Sequence, residues 1–417
     1  MKRIIFRLFP VILLVLFFSG TSSGQAQYGF RGDDRTGIYR ETGLMKEWPA
    51  DGPALIWEAS GIGIGYSSAT VTNDAVYITG KRGNKDVLTA FTQGGQKKWD
   101  VEYGTMLEVQ NYPESRCTPT VSNGKIFAVS GSGELTCVST NGKILWTVDF
   151  YEKYKAPVPR FGISESPVVV DNKVIVTPGG NIAAMVAFNV DNGNVVWETE
   201  SLNEGSMYVN PLLVDRNGRK VIITHTPTWI IGVNAVDGKI LWKFDFSAVN
   251  NDKRGGKNYI QTPIYKDGYI FAANGYGQTA AKIKLNDDGR DPELVWKNPE
   301  INPHVGGMVL IGNYLYSSTH DNNSMGRWIC VDWTTGKTMW ITKWYNKGAI
   351  IFADDMLYIY EERWGHVGLV KPDSDKLNIV SEFKVDKGTG PYWAHPVIDK
   401  GRLFVRHGDY LAVYSLK

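Results

Sequence analysis

Seven tryptophans punctuate this chain at the end of nearly the same phrase: a turn, a short apolar run, then Trp. They close A-L-I-W (Trp57), G-G-Q-K-K-W (Trp99), N-G-K-I-L-W (Trp146), N-G-N-V-V-W (Trp197), D-G-K-I-L-W (Trp242), E-L-V-W (Trp296) and T-G-K-T-M-W (Trp340). A degenerate eighth copy ends at Phe383, and the intervals are 42, 47, 51, 45, 54, 44 and 43 residues. A period in the forties with strand-like content means one supersecondary unit used repeatedly, and such units bury their apolar faces only by stacking on neighbours. The expected fold is all-β: an eight-bladed β-propeller of four-stranded antiparallel blades.

Blade 2 shows the unit. T-P-T-V, K-I-F-A-V, L-T-C-V and K-I-L-W-T-V read as strands A to D, with turns at Ser122-Asn123-Gly124 and Thr140-Asn141-Gly142, residues that tolerate positive φ. Strand A is expected to begin at Ala69, Pro119, Pro167, Pro211, Pro263, Met308, Ile350 and Pro396. Proline is acceptable there because the first residue of a strand can forgo its ladder donor. The tryptophans on strand D fill the wedges between blades, each ring burying about 150–250 Å², and need no chemical role. The unit after Trp393 supplies strands A to C only, whereas Pro53 to Ser60 is a D strand with nothing before it. Pairing the two closes the ring and hides its edge.

Residues 48–417 therefore read as one domain, with 27–47 expected to lie against one face. In residues 1–26, Lys2, Arg3 and Arg7 precede an apolar run from Leu8 to Phe18, and Gly24-Gln25-Ala26 supplies small residues. The run is too short to span a bilayer, so it reads as a removed secretory signal, implying a periplasmic or secreted protein. No cysteine precedes Cys117, so no lipid-modified N-terminal cysteine is expected. The remaining chain carries 42 basic and 43 acidic residues, which argues against a nucleic-acid partner. A monomer is expected. Cys137 and Cys330 align with Ala90, Ala187 and Val233, an inward position on strand C, and read as buried free thiols.

The D-G-K-I-L-W and T-G-K-T-M-W units resemble the repeats of the pyrroloquinoline-quinone (PQQ)-like propeller superfamily, which includes quinoprotein alcohol dehydrogenases and the propeller lipoprotein of outer-membrane protein assembly. Longer stretches at 30–38, 173–180, 304–307 and 393–409 resemble a secreted bacterial subgroup. For the dehydrogenases, the resemblance implies PQQ with calcium, a calcium-binding Glu and Asn, and a catalytic Asp. Glu165 and Asn210 match the first two loosely. The blade 5 stretch N-Y-I-Q-T lacks the Asp, the nearest being Asp252, and the chain has no Cys-Cys pair.

In such a ring the D–A and B–C connections share one face, and all six histidines fall there: His304 and His395 before strand A, and His225, His320, His366 and His407 in B–C loops. Function concentrates on loops held by a rigid scaffold. The D–A connections carry Tyr66, Arg116, Glu165, Tyr208, Asn210, Gln261, His304, Lys347, Trp393 and His395, and the last B–C loop adds Arg406 and His407. Aromatic platforms beside bidentate donors suit a sugar-like or anionic small molecule; a protein partner is the other binding reading. Arg116, Glu165, Lys347, Trp393 and His395 are expected to form one pocket, with Glu165 and His395 as the proton-transfer pair if there is catalysis. The enzyme alternatives are a quinoprotein-type dehydrogenase, with Glu165 and Asn210 on calcium, or metal-assisted sugar chemistry, with His304 and His395 on a transition metal. The missing Asp and cysteine pair favour binding over quinone chemistry.

Overall fold

The computed structural model describes residues 27–108, 111–250, 258–286 and 288–417. The signal expected at 1–26 and Asp252 lie outside the described residues. Eight four-stranded antiparallel blades form the ring, and strand A begins within one or two residues of each position read from the repeat. Blade 1 comprises Thr70–Val71, Val76–Arg82, Lys85–Phe91 and Lys97–Thr105. Blade 8 comprises Val397–Asp399, Arg402–His407 and Tyr410–Ser415, and takes its strand D, Leu55–Ser60, from the other end of the chain. The ring closes as expected.

The tryptophans make a belt whose links run from blade to blade. Six indole N–H groups, those of Trp57, Trp99, Trp146, Trp197, Trp296 and Trp340, donate at 3.0–3.2 Å to a carbonyl in the C–D turn of the following blade. The same turn presses a glycine onto the ring. Gly238 has φ 77°, and a Cβ there would meet Trp197 at 2.5 Å. Gly95, Gly142, Gly193 and Gly336 sit in the same way on Trp57, Trp99, Trp146 and Trp296. The turn glycine thus serves both the hairpin and the contact between blades.

Each C–D pairing carries a β-bulge in strand D, immediately before the Trp in seven blades. The bulged residue faces outward, so Ile56, Leu145, Val196 and Val295 stay exposed. Bulges twist the outer edge and make it a poorer template for strand addition. The bulge also corrects the alignment in blade 4, where Gly232, and not Val233, opposes Trp242. Cys137 and Cys330 do oppose Trp146 and Trp340, and all three cysteines are buried and free.

Blade 7 departs from the reading of the repeat. Its bulge puts Ser381 at the tryptophan position and Phe383 two residues later. The missing ring comes from Trp48, which lies 6.0 Å from Tyr358 on strand B, as Trp99 lies 6.0 Å from Tyr77 in blade 1. The Trp48 backbone N–H donates to Ser381 Oγ at 2.9 Å.

Residues 27–39 do not lie on a face. They run through the central channel, pairing antiparallel with strand A of blade 2 (Gln27↔Ser122) and parallel with strand A of blade 7 (Ile38↔Phe352). Between these contacts Arg31 donates to the carbonyls of Met308, Ile350 and Thr36 and to His395 Nδ1. Arg35 donates to those of Ser166, Pro167 and Pro211. The innermost strands present unpaired carbonyls to the channel, and a guanidinium offers five donors to satisfy them.

Candidate binding site at the channel mouth

Beside this strap the channel holds a cavity of about 960 Å³. Its upper wall is built by D–A connections held on rigid strands, and its inner wall by Phe30, Arg31, Asp34, Arg35, Thr36 and Ile38 of the strap. Of the residues singled out in the sequence, Tyr66, Arg116, Tyr208, Asn210, Gln261, His304, Trp393 and His395 line it, whereas Glu165, Lys347, Arg406 and His407 do not.

The four outside are held in the scaffold. Glu165 is buried, and its two carboxyl oxygens accept from the backbone N–H and the hydroxyl of Thr177, both at 3.1 Å. Burial outweighs these bonds and pushes its carboxyl up to about 8. The Lys347 ammonium is fully enclosed, donating to the carbonyls of Asn322 and Met325 and pairing with Glu362 at 3.1 Å. Arg406 joins blade 8 to blade 1 through the carbonyls of Gly63, Ser67, Thr79 and Gly408. The ring nitrogens of His407 face the carbonyls of Lys387 and Gly390, each at 2.7 Å, and its ring stacks on Tyr392.

His395 lines the cavity but has no nitrogen to spare. Its Nδ1 accepts from Arg31 at 2.8 Å and its Nε2–H donates to the carbonyl of Val305 at 2.8 Å, with burial and then the Arg31 charge pushing it down to about 3. Glu165 and His395 are therefore not brought together as a proton-transfer pair, and the five-residue pocket reduces to Arg116, Trp393 and His395. Near the rim, His304 contacts Tyr276 Oη at 3.1 Å and Glu362 at 3.4 Å. With both ring nitrogens engaged, His304 and His395 are poorly placed for a transition metal. Calcium fits no better, because the Glu165 carboxyl faces Thr177 and Asn210 Oδ1 accepts from the Ser166 N–H at 2.6 Å. Among the described residues, no group of three or more His, Cys, Asp or Glu side chains has a metal-holding arrangement.

What remains at the mouth is aromatic and cationic. Trp393 lies 4.9 Å from Tyr66, 4.7 Å from Tyr112 and 5.6 Å from His304, ring centre to ring centre. Arg116 sits 5.7 Å over Tyr66, and Arg160 packs 5.2 Å over Phe161. Tyr112 and Tyr276 both line the cavity in left-handed backbone conformations, φ 57° and 63°. Bulky residues avoid this region, and such strain clusters where a surface is built for use. Tyr112, Arg160, Phe161 and the strap were not among the sequence candidates. They lie in long connections without a repeat partner, and only the family resemblance of the stretch 30–38 marked the strap.

A family model described as outer membrane protein assembly factor BamB matches residues 83–342. An uncharacterized protein of Rickettsia conorii is 29% identical over 204 residues, 46% of this chain and 44% of that protein. The chain thus spans less than half the length of that curated relative. BamB from Moraxella catarrhalis superposes with a TM-score of 0.62 at 14% identity, covering 87% of this chain and 99% of that one. A europium-containing methanol dehydrogenase does so with a TM-score of 0.54 at 13% identity, covering 91% and 90%. At these identities the likeness is one of fold.

Proposed function

The chain belongs to the family of PQQ-like propellers described as outer membrane protein assembly factor BamB, and from that premise we propose that it is a binding propeller of the cell envelope that holds a polar small molecule at its channel mouth. The observation that carries the reading is the cavity wall itself. Tyr66, Tyr112 and Trp393 offer flat apolar faces, Arg116 and Arg160 offer forked donors, and Gln261 and Asn210 add amides, all on loops anchored in strands. The envelope location rests on the apolar leader at 1–26 and the family description.

Quinone-dependent oxidation is the weaker reading. Glu165 is turned into the scaffold, the Oδ1 of Asn210 is spent on the Ser166 N–H, blade 5 offers Gln261 where the resemblance asks for Asp, and no two cysteines are adjacent in sequence. A protein partner on the same face is the second reading. It is favoured by the family's description as an assembly factor and by Met325, Tyr345 and Trp364, all exposed on that face.

Native mass spectrometry of the purified protein, followed by Trp393→Ala, tests the proposal. The expected result is a bound small molecule that the variant loses while melting as the parent does. Dye-linked alcohol or sugar oxidation after reconstitution with PQQ and calcium overturns it.

A further inference from the structure

We propose that the channel mouth selects a carboxylate carried on a ring, with Arg116 as its principal anchor and Arg160 beside it; this rests on the binding reading above. The starting observation is a contrast among the arginines of the inner wall. Arg31, Arg35 and Arg406 are each almost fully buried, and each donates to at least three carbonyl oxygens of the scaffold, although the Nε of Arg35, like that of Arg116, is buried without a partner. They are built to hold blades together. Arg116 donates only to the carbonyl of Tyr112, its Nε is buried without a partner, and no carboxylate lies within ion-pair distance of it among the described residues. A half-buried guanidinium with its Nε shut off from water and most of its donors unspent favours an anion in its neighbourhood.

The acidic groups around it are already engaged. Glu114 accepts from the Tyr66 hydroxyl at 2.9 Å. Glu362 pairs with Lys347, and Asp34 of the strap pairs with Arg40 at 2.8 Å. Glu114 keeps its negative charge, since the Tyr66 hydroxyl is neutral, and offsets part of that of Arg116, whereas Arg160 has no ion pair among the described residues, so the described part of the mouth keeps a positive excess.

The chemistry of the anion follows from what surrounds the charge. A planar fork matches the two oxygens of a carboxylate. Among the described residues, Lys347 is fully enclosed and paired, and Lys266, which lines the cavity, donates to the carbonyl of Gly312 at 2.9 Å, so these residues offer no cluster of free point charges of the kind a phosphate dianion would recruit. Trp393 and the tyrosines beside it supply platforms for a flat or hydroxylated ring. A hexuronate end of an oligosaccharide and an aromatic acid share this chemistry.

The test is calorimetric titration of the full protein with a galacturonate oligomer, its neutral galactose counterpart, benzoate and inorganic phosphate. Binding of galacturonate or benzoate, weakened by salt and by about tenfold or more in Arg116→Gln, is the expected result; which of the two binds distinguishes the sources. Arg160→Ser, on the solvent side of the rim, should weaken the same ligand less. Equal binding of the charged and neutral oligomers, unchanged in Arg116→Gln, overturns the carboxylate assignment while leaving the mouth as a binding site. Binding of phosphate alone, or no binding of either acid at millimolar concentration, also overturns it. A ligand whose affinity is indifferent to Trp393→Ala removes the mouth itself, and the reading beneath.

Discussion

The outer belt and the inner wall of this ring are built on opposite plans. On the belt the same contact recurs, a tryptophan of one blade donating to and packing under the C–D turn of the next. On the inner wall almost every blade contributes a different residue, and the strap threads through with Arg31 and Arg35 bridging strands from blades 3, 4, 6, 7 and 8. Repetition serves the contact that every blade must make with its neighbour. The binding surface arises where the repeat lapses, since a site with directional chemistry cannot be eightfold the same.

The largest effect is expected where the belt is closed by residues from the far end of the chain. Excising 48–60 removes both strand D of blade 8 and the substitute ring Trp48. The ring should open and cooperative melting should disappear; a variant that still melts as the parent does refutes closure by this strand.

A smaller effect tests whether Trp48 belongs to the belt. Trp48→Ala should destabilise by about 3–5 kcal/mol, the range for removing a buried ring, and Trp197→Ala should match it in urea denaturation. A loss near zero at Trp48 beside a full loss at Trp197 would make it a surface cover and leave blade 7 without its ring.

The smallest effect of a single substitution belongs to titratable groups buried on the loop face and is read against pH. Burial pushes His225, His320 and His395 down to about 3, so the unfolded chain, with histidines near 6.5, binds protons first as pH falls. Stability should therefore decline below about pH 6.5, by at most about 1.4 kcal/mol per pH unit for each histidine. His395→Gln keeps an acceptor for Arg31 and a donor for Val305, and should flatten that limb. Glu165 acts with the opposite sign: its folded carboxyl is raised to about 8, so its contribution is lost as pH rises from about 4.5. Glu165→Gln should reduce the decline toward pH 8. An unchanged pH profile in both variants would show that these groups are not held as described.

Much of the belt could be read from the chain. Trp, turn glycine and small residue on strand C recur at fixed offsets, and each belongs to a contact between adjacent blades, so its signature lies within one period. Even there the reading slipped wherever a bulge added a residue: Val233 was taken for Gly232, and Phe383 stood in for a position held by Ser381. Half-ladder patterns do not reveal an extra residue, because the side-chain alternation resumes after it.

The candidate site was legible as a face and not as a set. Histidines and aromatic residues gathered on the D–A and B–C loops, and eight of the proposed residues do line the cavity. Nothing local distinguished Arg116, with donors unspent, from Arg406, which spends its own on four backbone carbonyls, or marked Lys347 as enclosed. All three are long cationic side chains on the same face of the ring; the difference lies in which oxygens the surrounding loops bring to them. The contact between Arg31 and His395 joins residues 364 positions apart across the channel. A repeating sequence encodes what each blade does to its neighbour, whereas partners that meet across the ring share no period, and only the closed fold brings them within reach.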